Sequence, residues 1–158
     1  ALAAWRKPDP KDRLLNLWRP LPDRPANDAV AAIGPAVPAL LKDPRPGIQE
    51  MAAKLTARLS LATAGKSLAE LAINEKAASG ARMAALQALS SLKDSRLPEA
   101  AKAGMSARDP RVRSEALKAL AGQDPAAAIE VIAEIIETGT QIEKQGALMA
   151  LREMKQPE

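Results

Sequence analysis

The chain has 158 residues, enough for one domain with a core of its own, and hydrophobic residues make up 47% of it. Aromatic residues supply only 1%, as Trp5 and Trp18, while alanine supplies about a fifth, a composition suited to closely packed helices. Cysteine and histidine are absent, which removes disulfides, thiol nucleophiles, the usual general base and the usual zinc ligands; no cofactor, metal site or catalytic residue is expected. The formal net charge of +4 comes from 23 basic and 19 acidic side chains interspersed along the chain, so it indicates a mixed solvated surface more than a basic face.

In chain order, the first stretch opens on Ala1-Leu2-Ala3-Ala4-Trp5, like the end of a helix cut midway, which suggests an excised piece of a larger protein. Residues 1–24 read as a cap or linker, with a short helix at about 10–18 between Pro8, Pro10, Pro20, Pro22 and Pro25. Trp5 and Trp18 are expected to cover the open apolar end of the first repeat; stacking on a sugar or a base is the other use for such a pair. No apolar run approaches the roughly 18 residues needed to span a bilayer, and no signal-peptide pattern is present.

Residues 25–158 carry an internal repeat. Ala85-Leu86-Gln87-Ala88-Leu89, Ala116-Leu117-Lys118-Ala119-Leu120 and Ala147-Leu148-Met149-Ala150-Leu151 share one pattern at a step of 31 residues. One further step back reaches Leu55 and Ala57, where the last leucine becomes Arg58. Each copy follows another helical stretch, such as 97–107 or 125–137, and Ile129, Ile132, Ala133 and Ile136 there mark one apolar face. Asp-Pro recurs at 9–10, 43–44, 109–110 and 124–125, where aspartate caps a helix that proline begins; Gly65, Gly80, Gly122 and Gly139 fall where turns are needed. The unit is a helix–turn–helix pair, about four of them, over 25–63, 64–94, 95–123 and 124–154.

These motifs resemble the HEAT-like, armadillo-like helical repeat family. Asp109-Pro110-Arg111-Val112-Arg113 followed by Ala116-Leu117 looks like the second helix of a HEAT repeat, and residues 35–55 look like a complete unit with prolines in its first helix. The short period is most similar to the class found in bilin lyases and many bacterial proteins. The resemblance implies an all-α, right-handed α-solenoid with an N-terminal cap, used as a protein-interaction or spacing scaffold. The Asp-Pro-Arg at 43–45 lies 66 residues before that at 109–111 instead of 62, so the first unit is expected to be longer or bent. The stretch Trp5-Arg6-Lys7-Pro8 through Leu17-Trp18-Arg19-Pro20-Leu21-Pro22 resembles a segment of large secreted planctomycete-type proteins that join a sugar-dehydrogenase-like propeller, HEAT repeats and a cytochrome c domain. That resemblance implies an extracytoplasmic location and neighbouring domains of a parent chain as partners.

Arg82, Arg113 and Lys144 stand in register 31 residues apart, with Met51 at that place in the first unit. As a column of charge on the second helices they would contact phosphates or acidic side chains, the basis of an alternative nucleic-acid-binding function on a basic concave face. The other reading is that each neutralises acidic groups nearby. The modest charge and the lack of aromatics within the repeats argue against nucleic acid. A pigment-lyase activity is a third possibility, disfavoured by the missing His and Cys. Glu130, Glu134 and Glu137 fit a solvated face better than a metal site, and Ala64-Gly65-Lys66-Ser67 lacks the upstream glycine of a phosphate loop. Lys155-Gln156-Pro157-Glu158 is too short to cover the last pair, so its apolar flank is expected to stay open after Met154 and to favour self-association.

Overall fold

The computed structural model describes residues 7–12 and 14–154, and the regular elements among them are helices. In chain order these are α1 Ala26–Ile33, α2 Val37–Leu41, α3 Pro46–Arg58, α4 Gly65–Ile73, α5 Ser79–Leu92, α6 Leu97–Met105, α7 Pro110–Gln123, α8 Pro125–Thr138 and α9 Gln141–Glu153. They make four successive pairs, α1/α2 with α3, α4 with α5, α6 with α7, and α8 with α9. The first member of the first pair is broken by a 3₁₀ turn at Gly34–Ala36. Pro35 and Pro38 cause the break, since neither has an N–H to donate to the preceding turn.

The helix starts follow local chemistry. Asp109 accepts a hydrogen bond from Arg111 N at 2.8 Å and Asp124 accepts one from Ala127 N at 3.1 Å, each just before a proline in the first helical position. At α9 a capping box does the same work, with Thr140 N donating to Glu143 Oε2 at 3.0 Å while Thr140 Oγ1 accepts from Glu143 N. The other two Asp-Pro steps do not cap helices. Asp43 accepts from Arg45 N at 2.9 Å in the turn before α3, because Pro46 holds Arg45 extended (φ −87°, ψ 115°) and delays the helix by two residues. Asp9 accepts from Lys11 N within a non-helical stretch. Gly139 holds the turn after α8 as expected, but the turns expected at Gly65 and Gly80 moved. Ser60 (φ 54°) and Lys93 (φ 51°) take the left-handed positions after α3 and α5, whereas Gly65 and Gly80 lie inside the first turns of α4 and α5.

The second helices pack in sequence, α3 on α5, α5 on α7 and α7 on α9, and α2, α4 and α6 pack in sequence in the other layer. Each second helix also packs on the first helix of its own pair. This is a helical-repeat, solenoid-like arrangement in which each pair touches mainly its neighbours.

Burial shows why the 31-residue step holds from α5 onward and fails before it. Ala85, Leu86 and Ala88 in α5 and Ala116, Leu117 and Ala119 in α7 are buried at matching positions. In α3 the buried residues are Ala52, Ala53 and Thr56, while Leu55 is half-buried. Aligned on the helix starts at Pro46 and Ser79, the step is 33, which sets Ala52, Ala53 and Thr56 in register with buried Ala85, Leu86 and Leu89. The two extra residues of this step lie between α3 and α5, in the link that carries the Ala62–Ala64 3₁₀ turn.

The core divides into two clusters inside α7. Val112, Ala116 and Ala119 join the cluster running through α2–α6, whereas Leu117 and Ala121 pack with Ala128 and Ile132 of α8 and Ala147 and Ala150 of α9. Small residues set the spacing. A Cβ at Gly146 would lie 1.8 Å from Ser114 Oγ and 2.8 Å from Ser114 Cβ, so α9 approaches α7 more closely than any side chain at 146 allows. Gly146→Leu is expected to cost about 2 kcal/mol or more in urea unfolding, despite better helix propensity. An unchanged midpoint would show that α9 stands away from α7.

Candidate interaction surface

The three register cations do not form an outward column. Arg82, on α5, is buried and its Nε donates to Ala72 O at 2.9 Å, next to the last residue of α4. Arg113, on α7, donates from Nη1 to Ala107 O at 2.7 Å and to Arg108 O at 3.0 Å, just past the end of α6. Lys144, on α9, donates from Nζ to Glu137 O at 3.3 Å, near the end of α8. Each is carried by the second helix of a pair and satisfies carbonyls at the C-terminal end of the first, where oxygens lack intrahelical partners and the helix dipole is negative. The repeated spacing is thus the spacing of a cap. In the 33-residue register of the first pair this place belongs to Gln49, and Met51 is 70% exposed.

Only Arg113 among the three also pairs with an acid. Its Nε donates to Glu143 Oε1 at 2.6 Å, across the junction between the third and fourth pairs. The Arg113 guanidinium holds the Glu143 carboxyl down at about 2, against the upward push of burial and with help from Thr140. Arg113 is itself raised by the same hydrogen bond. Glu143 therefore closes the capping box of α9 and ties α9 to α7.

The remaining charge near the turns is used locally. Asp43 with Arg45, Asp94 with Arg96 and Asp109 with Arg111 repeat one Asp-x-Arg arrangement, in which the aspartate accepts from the arginine backbone and from its guanidinium. Arg45 holds the Asp43 carboxyl down at about 2, and Arg111, helped by Ser79, lowers that of Asp109. At Gly65 a Cβ would lie 1.8 Å from Asp94 Oδ2, so a carboxylate already sits at the start of α4 where a phosphate loop would need its anion. Glu130, Glu134 and Glu137 are exposed on α8. Among the described residues no three acidic side chains converge to hold a metal ion. No described helix is long and apolar enough to cross a membrane.

The aromatic cap is corrected in part. Trp5 lies outside the described residues, and Trp18 is 67% exposed, so its side chain does not cover the first pair. No helix forms among the described residues of 10–18. Asp12 instead accepts from Leu14 N and Leu15 N, Asn16 turns the chain at φ 52°, and Arg19 N donates to Pro10 O at 2.7 Å. Lys11 and Trp18 meet as an antiparallel bridge. The fold-back leaves Leu14, Leu15, Leu17 and Leu21 between 51% and 94% exposed. Leu14, Leu17, Trp18 and Leu21 stand at helical spacing, but the flanking prolines and the Asp12 turn keep the stretch from forming a helix that would bury them.

At the other end, Leu148 is 60% and Leu151 40% exposed, with Ile129 at 54% and Ile136 at 43% on α8. Leu86 and Leu117, at the same register as Leu148, are fully buried. The last pair thus carries exposed apolar side chains, and the Lys155-Gln156-Pro157-Glu158 tail expected to leave them open lies outside the described residues. Of the four α8 residues read as one inward apolar face, only Ile132 is buried; Ala128 is its companion, and Val131 and Ile135 pack partly against them.

No protein-family model, no curated protein and no solved structure matches this chain at a significant level.

Proposed function

We propose that this chain is a non-catalytic protein-interaction or spacer module, a right-handed solenoid of the HEAT-like kind that works as part of a larger multidomain protein. The observation that carries this reading is the unbroken sequence of second helices, α3 on α5 on α7 on α9, whose polar side chains are used for caps and turns. Such a stack holds its two ends at a set separation and offers an extended surface along its length. The Trp5–Pro22 stretch supports a further proposal, that the parent protein is extracytoplasmic and that the module spaces its propeller and cytochrome domains.

The absence of cysteine makes a direct test simple. Spin labels on cysteines introduced at exposed Ala31 of α1 and exposed Met149 of α9 are expected to give one narrow distance distribution. A broad or bimodal distribution would rule out a spacer. The nucleic-acid alternative loses its main support, since Arg82, Arg113 and Lys144 are engaged with backbone carbonyls. Titration with single-stranded and duplex DNA at low salt is expected to show no binding below about 0.1 mM, weaker than ordinary non-specific DNA binding. Tighter, salt-dependent binding would restore that reading.

A further inference from the structure

We propose that the open end of the stack, formed by α8 and α9, receives the leucine-rich N-terminal segment of a second copy of this chain, head to tail. The proposal rests on the reading of the chain as an interaction module and names a partner for it.

The register identifies the surface. Leu117 is sealed by Ala128, Ile132, Ala147 and Ala150 of the following pair, whereas Leu148, at the same place, is 60% exposed. Leu151 lies one turn from Leu148 on α9, and Ile129 and Ile136 are exposed on α8, which packs beside α9.

The occupant of this surface is not another helix pair stacked as α9 stacks on α7. That contact depends on Ser114 lying against Gly146 and on buried Ala121. At the registers of Ser114 and Ala121, α9 carries Gln145 and Arg152, both exposed and much larger. A helix axis cannot approach as closely there. An irregular segment that inserts individual side chains between them fits better.

The chain itself contains such a segment. Residues 7–24 present Leu14 (94% exposed), Leu15, Leu17, Trp18 and Leu21 from a backbone already folded back by Asp12, Asn16 and the Lys11–Trp18 bridge. Pro20, Pro22 and Pro25 restrict the rest, so little conformational freedom is lost on docking. Charge agrees as well. The segment holds Lys7, Lys11, Arg13, Arg19 and Arg24 against Asp9, Asp12 and Asp23, whereas α8 and α9 together hold Glu130, Glu134, Glu137, Glu143 and Glu153 against Lys144 and Arg152. Opposite signs therefore meet across the contact. The segment leads into α1, at the far end of the stack from α9, which makes the contact heterologous and allows it to continue from copy to copy.

Sedimentation velocity over rising concentration tests this. The full chain is expected to form an open series of oligomers that weakens with salt. A head variant, Leu14→Asp with Leu17→Asp, and a tail variant, Ile129→Asp with Leu148→Asp, alter exposed positions and are expected to keep the native circular dichroism. Each alone should associate at least tenfold more weakly, while an equimolar mixture of the two should form a 1:1 dimer and nothing larger, because one intact head meets one intact tail. A head variant that still dimerises would mean a tail-to-tail contact, and a wild-type chain monomeric at millimolar concentration would remove the contact altogether. Either result overturns the proposal without touching the spacer reading.

Discussion

Leu117→Ala is expected to lower the unfolding free energy by about 3 kcal/mol, whereas Leu148→Ala, one step later in the same register, lowers it by less than about 0.5 kcal/mol. The two leucines have the same sequence context but different neighbours. Leu117 is fully buried at the junction where α7 meets α8 and α9, and its loss leaves a cavity among Ala128, Ile132, Ala147 and Ala150. Alanines cannot move far to fill it. Leu148 is 60% exposed, so its truncation removes little buried surface. Urea unfolding followed by circular dichroism gives both values, read on dilute chain where self-association does not contribute. Equal losses at the two positions would mean that α9 is covered in solution by something the stack alone does not supply. A broadened transition in Leu117→Ala is also expected, as the last pair separates from the cluster shared by α2–α7.

Arg113→Met should cost about 2–3 kcal/mol at pH 7, near the lower end for a broken buried ion pair because the arginine side chain retains 25% exposure. The variant strands a carboxylate that is 11% exposed and frees the carbonyls of Ala107 and Arg108. Glu143→Gln in the same background should recover part of the loss, since an amide tolerates burial better than an unpaired charge. The pH dependence follows from the carboxyl's position at about 2, below its ordinary value of 4.5. The folded state binds this proton less readily than the unfolded chain. The contribution is complete above about 4.5, falls away as pH drops toward about 2, and is gone below it. Wild-type stability should therefore decline across that window more steeply than that of Arg113→Met, where the carboxyl titrates nearer its ordinary range. Parallel curves would show that Glu143 is not held by Arg113.

The repeat was legible in the sequence because leucines buried between successive pairs must recur at one spacing. That logic covered α5 and α7, reached α9 in register but not in burial, and misplaced α3 by two residues. The two extra residues lie between α3 and α5, where the Ala62–Ala64 3₁₀ turn lengthens the link into α4, an irregularity that the apolar pattern does not carry. The same spacing marked Arg82, Arg113 and Lys144 correctly as equivalent but not their purpose. Their partners are backbone carbonyls, which leave no trace in residue identity, so a column of charge and a column of caps read alike. The N-terminal segment was misread as a helix for a related reason. The Asp12 carboxylate and the left-handed backbone of Asn16 build a compact fold-back, which overrides the helical spacing of Leu14, Leu17 and Leu21.

The central claim is that the chain is a one-dimensional stack in which each helix pair is held by its neighbours. Residue-resolved hydrogen exchange of the native protein tests it most directly. A stack predicts the slowest exchange in α5 and α7, flanked on both sides, and a distinct lower-energy opening that releases α8 and α9 together. Uniform protection from α2 through α9, lost in a single global opening, would contradict it.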